Sequence, residues 1–371
     1  MKKIFAFFCL LSILSAYSQK SFTVSGKLSG FKENALVKIT QNNVVLDSCF
    51  LKNENFRLKG VITNAPSTVY LQIFSGKEIK YSSLFIGNEN ITVDADIADF
   101  KWNVKTSGSK YDNVRYQNYQ LVKDLYFQRT QYENEVNKLR DLGKWNDSLQ
   151  KQYWSQKEPL GKIALTDKKI ADLERKFLSQ NINTEYGLDK LQMMMPTLPG
   201  TFVSDLIKKI NPKMKKTARV KSIIAFFNNK DLKTGDAYFD FTAYDLYNKK
   251  HTFSDFFNGK YVLLDFTTLH CGFCLAAVPV LDQLRADIGD QLEIVSFYVD
   301  NDLKGLQKMQ KKHQTDWIMI WDKKGRLGET YSTYKISGTP NLFLFTPEGK
   351  LIEKFDGLYE DLADQIKKSI N

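Results

Sequence analysis

From Ser21 to about Lys105, apolar and polar residues alternate in short runs: FTVSGKL, LVKITQ, VVLDSCFL, NFRLKGVI, TVYLQIF and NITVDADI. Gly, Asn and Lys-Glu steps separate them, and runs of this length and period predict the strands of an antiparallel sandwich or barrel. From about Ser107 the period lengthens. Leu121, Leu125, Tyr132, Val136 and Leu139 recur mostly at threes and fours, as do Leu149, Tyr153, Leu160 and Ile163, then Ile170, Leu173 and Phe177. This spacing predicts amphipathic helices, which continue with breaks at Pro196, Pro199 and Pro212 to about Asn229. A polar stretch around Lys230 to Tyr238 then marks a domain boundary. Beyond it the pattern is mixed. YVLLDFT is a continuous apolar run suited to a central strand, QLEIVSFYV, DWIMIW and NLFLFT are further strands, and helical stretches fall near 271–289, 302–313, 326–334 and 358–369. Strands alternating with helices imply an α/β sheet with parallel pairs.

The first residues follow a different logic. MKKIFAFFCLLSILSAYSQ has two lysines, an apolar run from Ile4 to about Leu14, and Ala16-Tyr17-Ser18 ahead of Gln19. Small residues at the −3 and −1 positions predict a secretory signal peptide cut after Ser18. The run is short for a spanning anchor, and Cys9 sits inside it behind Phe8, where a lipoprotein signal wants a small residue. The expected organisation is a signal peptide at 1–18, a β-rich domain at 19–106, a helical region at 107–234 and an α/β domain at 235–371. No later segment is apolar enough to span a bilayer, so a mature protein outside the cytoplasm, with no stable membrane insertion, is expected.

At 371 residues and 43% hydrophobic composition the chain can build more than one core. Its net charge of +11 is uneven: residues from Asp236 onward carry 16 Lys/Arg against 20 Asp/Glu, and those before it carry 37 against 22. No nucleic-acid motif accompanies the basic half, so a solvated lysine-rich surface is the expected reading and nucleic acid is not an expected partner. Met193-Met194-Met195 reads as core filling at a helix end.

Without the signal, three cysteines remain: Cys49, Cys271 and Cys274. One close pair and one stray thiol do not make a disulfide-stapled scaffold; they suggest a working dithiol on a fold held by its own core. Cys49, within VVLDSCFL, is expected to be a buried strand thiol. Cys271 should begin the helix after the YVLLDFT strand, where unpaired N–H groups favour a thiolate, with Cys274 one turn on. That arrangement suits reversible disulfide chemistry, in which Cys271 attacks a substrate disulfide and Cys274 resolves the mixed disulfide. Haem attachment wants His after the second cysteine, where Leu275 stands, and a structural zinc site needs a second close pair of ligands that His251, His270, His313 and Cys49 do not form. His270 can be a plain polar loop residue or one that stabilises the thiolate, and a place in a copper site stays open for it. Asp265, among Leu263, Leu264 and Phe266, should have a raised pKa and can take a proton from Cys274.

The segment from about Gly235 onward resembles the thioredoxin superfamily, specifically the exported TlpA-like disulfide reductases. GKYVLLDF, Cys271-Gly272-Phe273-Cys274, Pro279 and SGTPNLFLFTPEGKLI carry the likeness. The resemblance implies that Thr339-Pro340 is a cis-proline turn facing the dithiol and that Asp265 matches the family's buried acid. Residues 20–118 resemble a β-rich domain of unknown function common ahead of such modules in secreted bacterial proteins, on SFTVSGKL, LDSCFLKNENFRLKG, ENITVDAD and SGSKYDNVRYQNY. The family usually has Trp where Thr267 and His270 stand, Pro at Phe273 and Glu near Ala277, so redox potential and substrate choice do not follow from the resemblance. The expected fold is a thioredoxin-like α/β C-terminal domain behind a β-sandwich-like domain and a helical middle region. The expected function is periplasmic thiol–disulfide oxidoreduction, with disulfide-bonded proteins as substrates, an envelope thiol as electron donor, and no cofactor or metal. A peroxiredoxin-like enzyme is an alternative, since Thr268-Leu269-His270-Cys271 has that family's Thr-x-x-Cys, although Leu264 replaces its upstream Pro. A non-catalytic binding or assembly module is another.

Overall fold

A computed structural model describes residues 21–313 and 317–370; the expected signal peptide, its cut after Ser18 and Cys9 lie outside the described residues. The chain forms two compact units, one of residues 21–41 with 45–117 and one of residues 42–44 with 118–371.

The first unit is β-rich. Its strands are β1 (Phe22–Ser29), β2 (Leu36–Gln41), β3 (Val44–Phe50), β4 (Asn55–Gly60), β5 (Ser67–Ser75), β6 (Glu78–Ile86), β7 (Asn90–Asp96) and β8 (Lys105–Ser107), with a short helix α1 (Phe100–Asn103) before the last. They form two four-stranded sheets, ordered β4-β1-β7-β8 and β3-β2-β5-β6. Alternation decides which side chains go inward: Phe22 and Val24 of β1, Phe56 and Leu58 of β4, and Ile91 and Val93 of β7 share one core with Val37, Ile39, Val69 and Leu71 of the other sheet. Antiparallel pairing dominates, but β1 and β7 run parallel. Cys49 is only half-buried, which corrects the sequence expectation. β3 is an edge strand, so its side chains are covered incompletely, and Cys49 leans on the sandwich core from its rim.

The second unit begins with helices: α2 (Asp112–Asp141, starting in the first unit), α3 (Asp147–Trp154), α4 (Lys162–Asn181), α5 (Glu185–Met194), α6 (Gly200–Lys209) and α7 (Ala218–Asn228). Thr184 and Thr217 cap α5 and α7 by accepting from the Gly187 and Val220 N–H groups. Leu188, Leu191, Val203, Leu206, Val220 and Ile223 share a core, and buried Arg219 pairs with Asp189 at 2.6 Å. Met195 is buried and Met194 packs on this core, while Met193 points to solvent.

The α/β part has a small hairpin, β9 (Thr242–Tyr244) with β10 (Lys250–Thr252), then β11 (Tyr261–Thr267), α8 (Gly272–Ile288), β12 (Leu292–Tyr298), α9 (Leu303–His313), β13 (Ile318–Ile320), α10 (Glu329–Thr333), β14 (Asn341–Phe345), β15 (Leu351–Asp356) and α11 (Leu362–Ile370). The main sheet is ordered β13-β12-β11-β14-β15, with β11 at its centre, parallel to β12 and antiparallel to β14. Both faces of β11 are covered, which explains its unbroken apolar run. Val262, Leu264 and Phe266 face an aromatic cluster with Phe297, Tyr334 and Phe343; Leu263 faces Val278, Leu281 and Leu284 of α8 and Ile366 of α11. Each such side chain stabilises the fold by roughly 1.5–3 kcal/mol. An ionisable Asp265 in the same strand opposes it. The helical region packs on this part, α7 against α10, with the Ser222 and Ser332 hydroxyls hydrogen-bonded. No helix among the described residues is long and apolar enough to cross a membrane.

Candidate functional site

β11 ends at Thr267, and the chain turns through 268–271 into α8. Cys271 is the residue ahead of the helix, in extended conformation, and its carbonyl accepts from the Leu275 N–H at 3.1 Å. The Phe273 and Cys274 N–H groups of the first turn, which have no partner within the helix, are directed at its sulfur. Cys274, one turn on, is 1% exposed, whereas Cys271 is partly open and Phe273 between them is 68% exposed. Both thiols are free.

The Thr339-Pro340 bond is cis, and Thr339 meets the dithiol from the turn ahead of β14: Cys271 Sγ lies 3.2 Å from its carbonyl oxygen. Asp265 sits six residues before Cys271 on the central strand, 3% exposed. The fold therefore brings Asp265, Cys271, Cys274, Thr339 and Pro340 to one end of the central strands.

Their electrostatics differ sharply. Burial pushes the Cys271 thiol up, but the N–H and thiol of Cys274, the Thr339 side chain and the Phe273 N–H more than offset this, leaving it below the ordinary cysteine value. Burial drives Cys274 the other way, to about 12, and the charge of Asp265 adds to the rise. Burial also lifts Asp265 to about 7, although the Ser296 hydroxyl, donating to Oδ2 at 3.0 Å, favours its ionised form. Two thiols three residues apart are thus an easily ionised outer one and a protonated inner one beside a carboxyl group.

The loop before Cys271 is held separately. The buried Thr268 hydroxyl donates to Asp300 and accepts from the His270 N–H at 3.2 Å, while the Arg326 guanidinium lies 3.7 Å from the other Asp300 oxygen. His270 faces Asp300 and Asp302, the three side chains offering donor atoms within 4.8 Å of one another, a set chemically able to hold a metal ion. Both carboxylates already have partners within the protein, since Asp302 accepts from the Tyr298 hydroxyl and the Gly305 N–H, each at 2.9 Å. These contacts favour a loop-supporting role for the cluster. The sequence reading met Thr268 only as the first residue of a Thr-x-x-Cys pattern, and it passed over Asp300 and Ser296. Ser296 did leave a trace, as the one serine in the largely apolar LEIVSFY run, directly opposite Asp265 across the β11–β12 pair.

A five-stranded mixed sheet with a dithiol at the start of the helix after its central strand, facing a Thr-Pro turn, defines a thioredoxin-like α/β domain. Residues 234–354 match the AhpC/TSA family, and residues 22–114 match a domain of unknown function (DUF4369). Among solved structures, the thioredoxin domain of a thiol-disulfide oxidoreductase from Bacteroides vulgatus is 27% identical, covering 38% of this chain and 100% of its own, with a TM-score of 0.35. A Chlorobium tepidum protein described as a thiol:disulfide interchange protein DsbE is 25% identical over 38% of this chain and 100% of its own, also at 0.35. A thiol:disulfide interchange protein from a Bacteroides species is 28% identical over 38% and 91%, at 0.33. No curated protein matches the chain.

Proposed function

We propose that this protein is an exported thiol–disulfide oxidoreductase that reduces or exchanges disulfides in protein substrates through Cys271 and Cys274. The observation that carries this reading is the opposite perturbation of the two thiols, one lowered and part-exposed, the other buried and raised beside Asp265. The Cys271 thiolate attacks one sulfur of a substrate disulfide; that S–S bond breaks, the first substrate sulfur leaves as a thiolate, and a mixed disulfide forms. Cys274 then gives its proton to the Asp265 carboxylate and attacks Cys271 Sγ, releasing the second substrate sulfur and closing a Cys271–Cys274 disulfide. The substrate gains two electrons, which a thiol donor in the cell envelope returns.

Purified protein with dithiothreitol as donor should reduce insulin disulfides faster than dithiothreitol alone, and should turn over hydrogen peroxide at background rate. Absence of insulin reduction would favour a non-catalytic module. Rapid peroxide turnover would favour a peroxidase, the reading that the AhpC/TSA match and Thr268 keep open. The Thr268 hydroxyl is engaged by Asp300 and the His270 N–H, which supports the disulfide reading over that one.

The reading also places the protein in the periplasm after cleavage behind Ser18, because of the Ala16-Tyr17-Ser18 site. Intact mass of protein isolated from its native envelope fraction should correspond to a chain starting at Gln19. A mass retaining Met1, or one carrying lipid, contradicts it.

A further inference from the structure

We infer that Ser296 and Trp317 are positioning residues for the proton-accepting step, tying down one oxygen of Asp265 so that only the other is left to receive the Cys274 proton. This inference rests on the proposed dithiol mechanism and extends it outward by two side chains. Asp265, Ser296 and Trp317 lie on three neighbouring segments of the sheet: β11, β12 and the residue ahead of β13. Asp265 and Ser296 are register partners, and Trp317 precedes Ile318, which pairs with Val295. All three are buried, at 3%, 1% and 3% exposure.

The Trp317 indole N–H donates to Ser296 Oγ at 3.0 Å, and the Ser296 hydroxyl donates to Asp265 Oδ2 at 3.0 Å. The indole sets the direction of this chain. An indole nitrogen can only donate, so Ser296 must accept from it, and the hydroxyl proton is then committed to the carboxylate. Two donors in series polarise one another and strengthen the bond at the acid. Asp265 Oδ1, by contrast, is shielded from solvent and has no hydrogen-bond partner among the described residues. In a buried carboxylate with one oxygen already accepting and the other without a partner, the second is the favoured place for an incoming proton.

The neighbours of Asp265 leave this chain as its main control. From α8 the titrating group is Cys274, whose thiol responds to the Asp265 charge. From β12 it meets Ser296, and across β14 its register partner is Leu342, neither of which titrates. Donation from Ser296 favours the ionised form and offsets part of the effect of burial. Ser296 therefore keeps Asp265 usable as a base near neutral pH.

The test follows the Asp265 carboxyl by carbon-13 NMR in the full-length reduced protein, alongside the pH dependence of substrate release measured separately from the first attack. Ser296→Ala should move both the NMR midpoint and the release midpoint upward by about one pH unit, or about tenfold in proton affinity, with the rate of attack by Cys271 unchanged. Ser296→Thr, which keeps the hydroxyl, should restore both midpoints. Trp317→Phe should move them in the same direction by less, because the Ser296 hydroxyl stays but is free to rotate. An Asp265 midpoint in Ser296→Ala equal to that of the natural protein overturns the inference while leaving the dithiol mechanism standing. Release that ignores Asp265→Asn altogether overturns the underlying mechanism, and this inference with it.

Discussion

Cys271→Ser should reduce disulfide turnover to the uncatalysed background, whereas Cys274→Ser should still attack and should accumulate one mixed disulfide per molecule. The asymmetry follows from the two environments. Cys271 has its thiol pKa lowered in a part-exposed position, which under the proposed mechanism makes it the source of the thiolate that opens the substrate bond. Cys274 is pushed up to about 12 by burial, so at neutral pH it stays a thiol. Its attack must wait for the mixed disulfide and for a proton acceptor. Brief alkylation at pH 7 should label Cys271 and leave Cys274 unmodified until the protein is unfolded, as peptide mass mapping would report. Faster labelling of Cys274 would reverse the assignment of roles. A Cys274→Ser protein that carries no trapped substrate, with insulin reduction intact in the natural protein, would show that release does not depend on the second thiol.

Asp265→Asn should slow release more than attack and should stabilise the reduced protein at alkaline pH. The acid titrates near 3.9 in an unfolded chain and at about 7 here. Between those values the folded form binds a proton that the unfolded form has lost, so the stability contributed by this group falls as pH rises from about 4 to about 7. Above pH 7 the folded state holds a buried carboxylate at full cost, at most on the order of 3–4 kcal/mol for a shift of about three units. Asn has nearly the same shape and no charge, and it can keep the bond from Ser296. The variant should therefore gain up to that amount at pH 8 and almost nothing at pH 4. Because the chain has more than one unit, the melting transition to follow is the one that carries the Trp317 signal. Equal stabilisation at both pH values would mean that Asp265 ionises alike in both states. Equal loss of attack and release in this variant would make it a structural acid.

Much of this architecture was legible in the local pattern, and for identifiable reasons. β11 and α8 were readable because YVLLDFT is apolar except at Asp265 and Thr267 and because Ala277, Leu281, Leu284 and Ile288 recur at helical spacing; of those four, Ile288 is half-buried and the others are buried. The β-rich first unit was readable because its strands expose one face to solvent and so alternate. Cys49 was misjudged because composition does not reveal which strand lies at a sheet edge. The helix expected over 326–334 divides into a short turn at Gly325–Leu327 and α10, with Gly328 between them. A pattern of apolar residues does not register such a break.

The sequence alone determined most of the elements, the order of β-rich, helical and α/β regions, and the placing of two cysteines at a helix start, since each depends on residues within a turn or a strand of one another. Tertiary structure decided the chemistry of the site. Cys271 meets the Thr339 carbonyl across 68 positions of chain, Ser296 reaches Asp265 across 31, and Trp317 reaches Ser296 across 21. None of these contacts has a period or a spacing, because strand order in the sheet brings them together. The same order buries Cys274 and Asp265 while leaving Cys271 part-exposed, and differential desolvation with a few hydrogen bonds separates one thiol from its near neighbour.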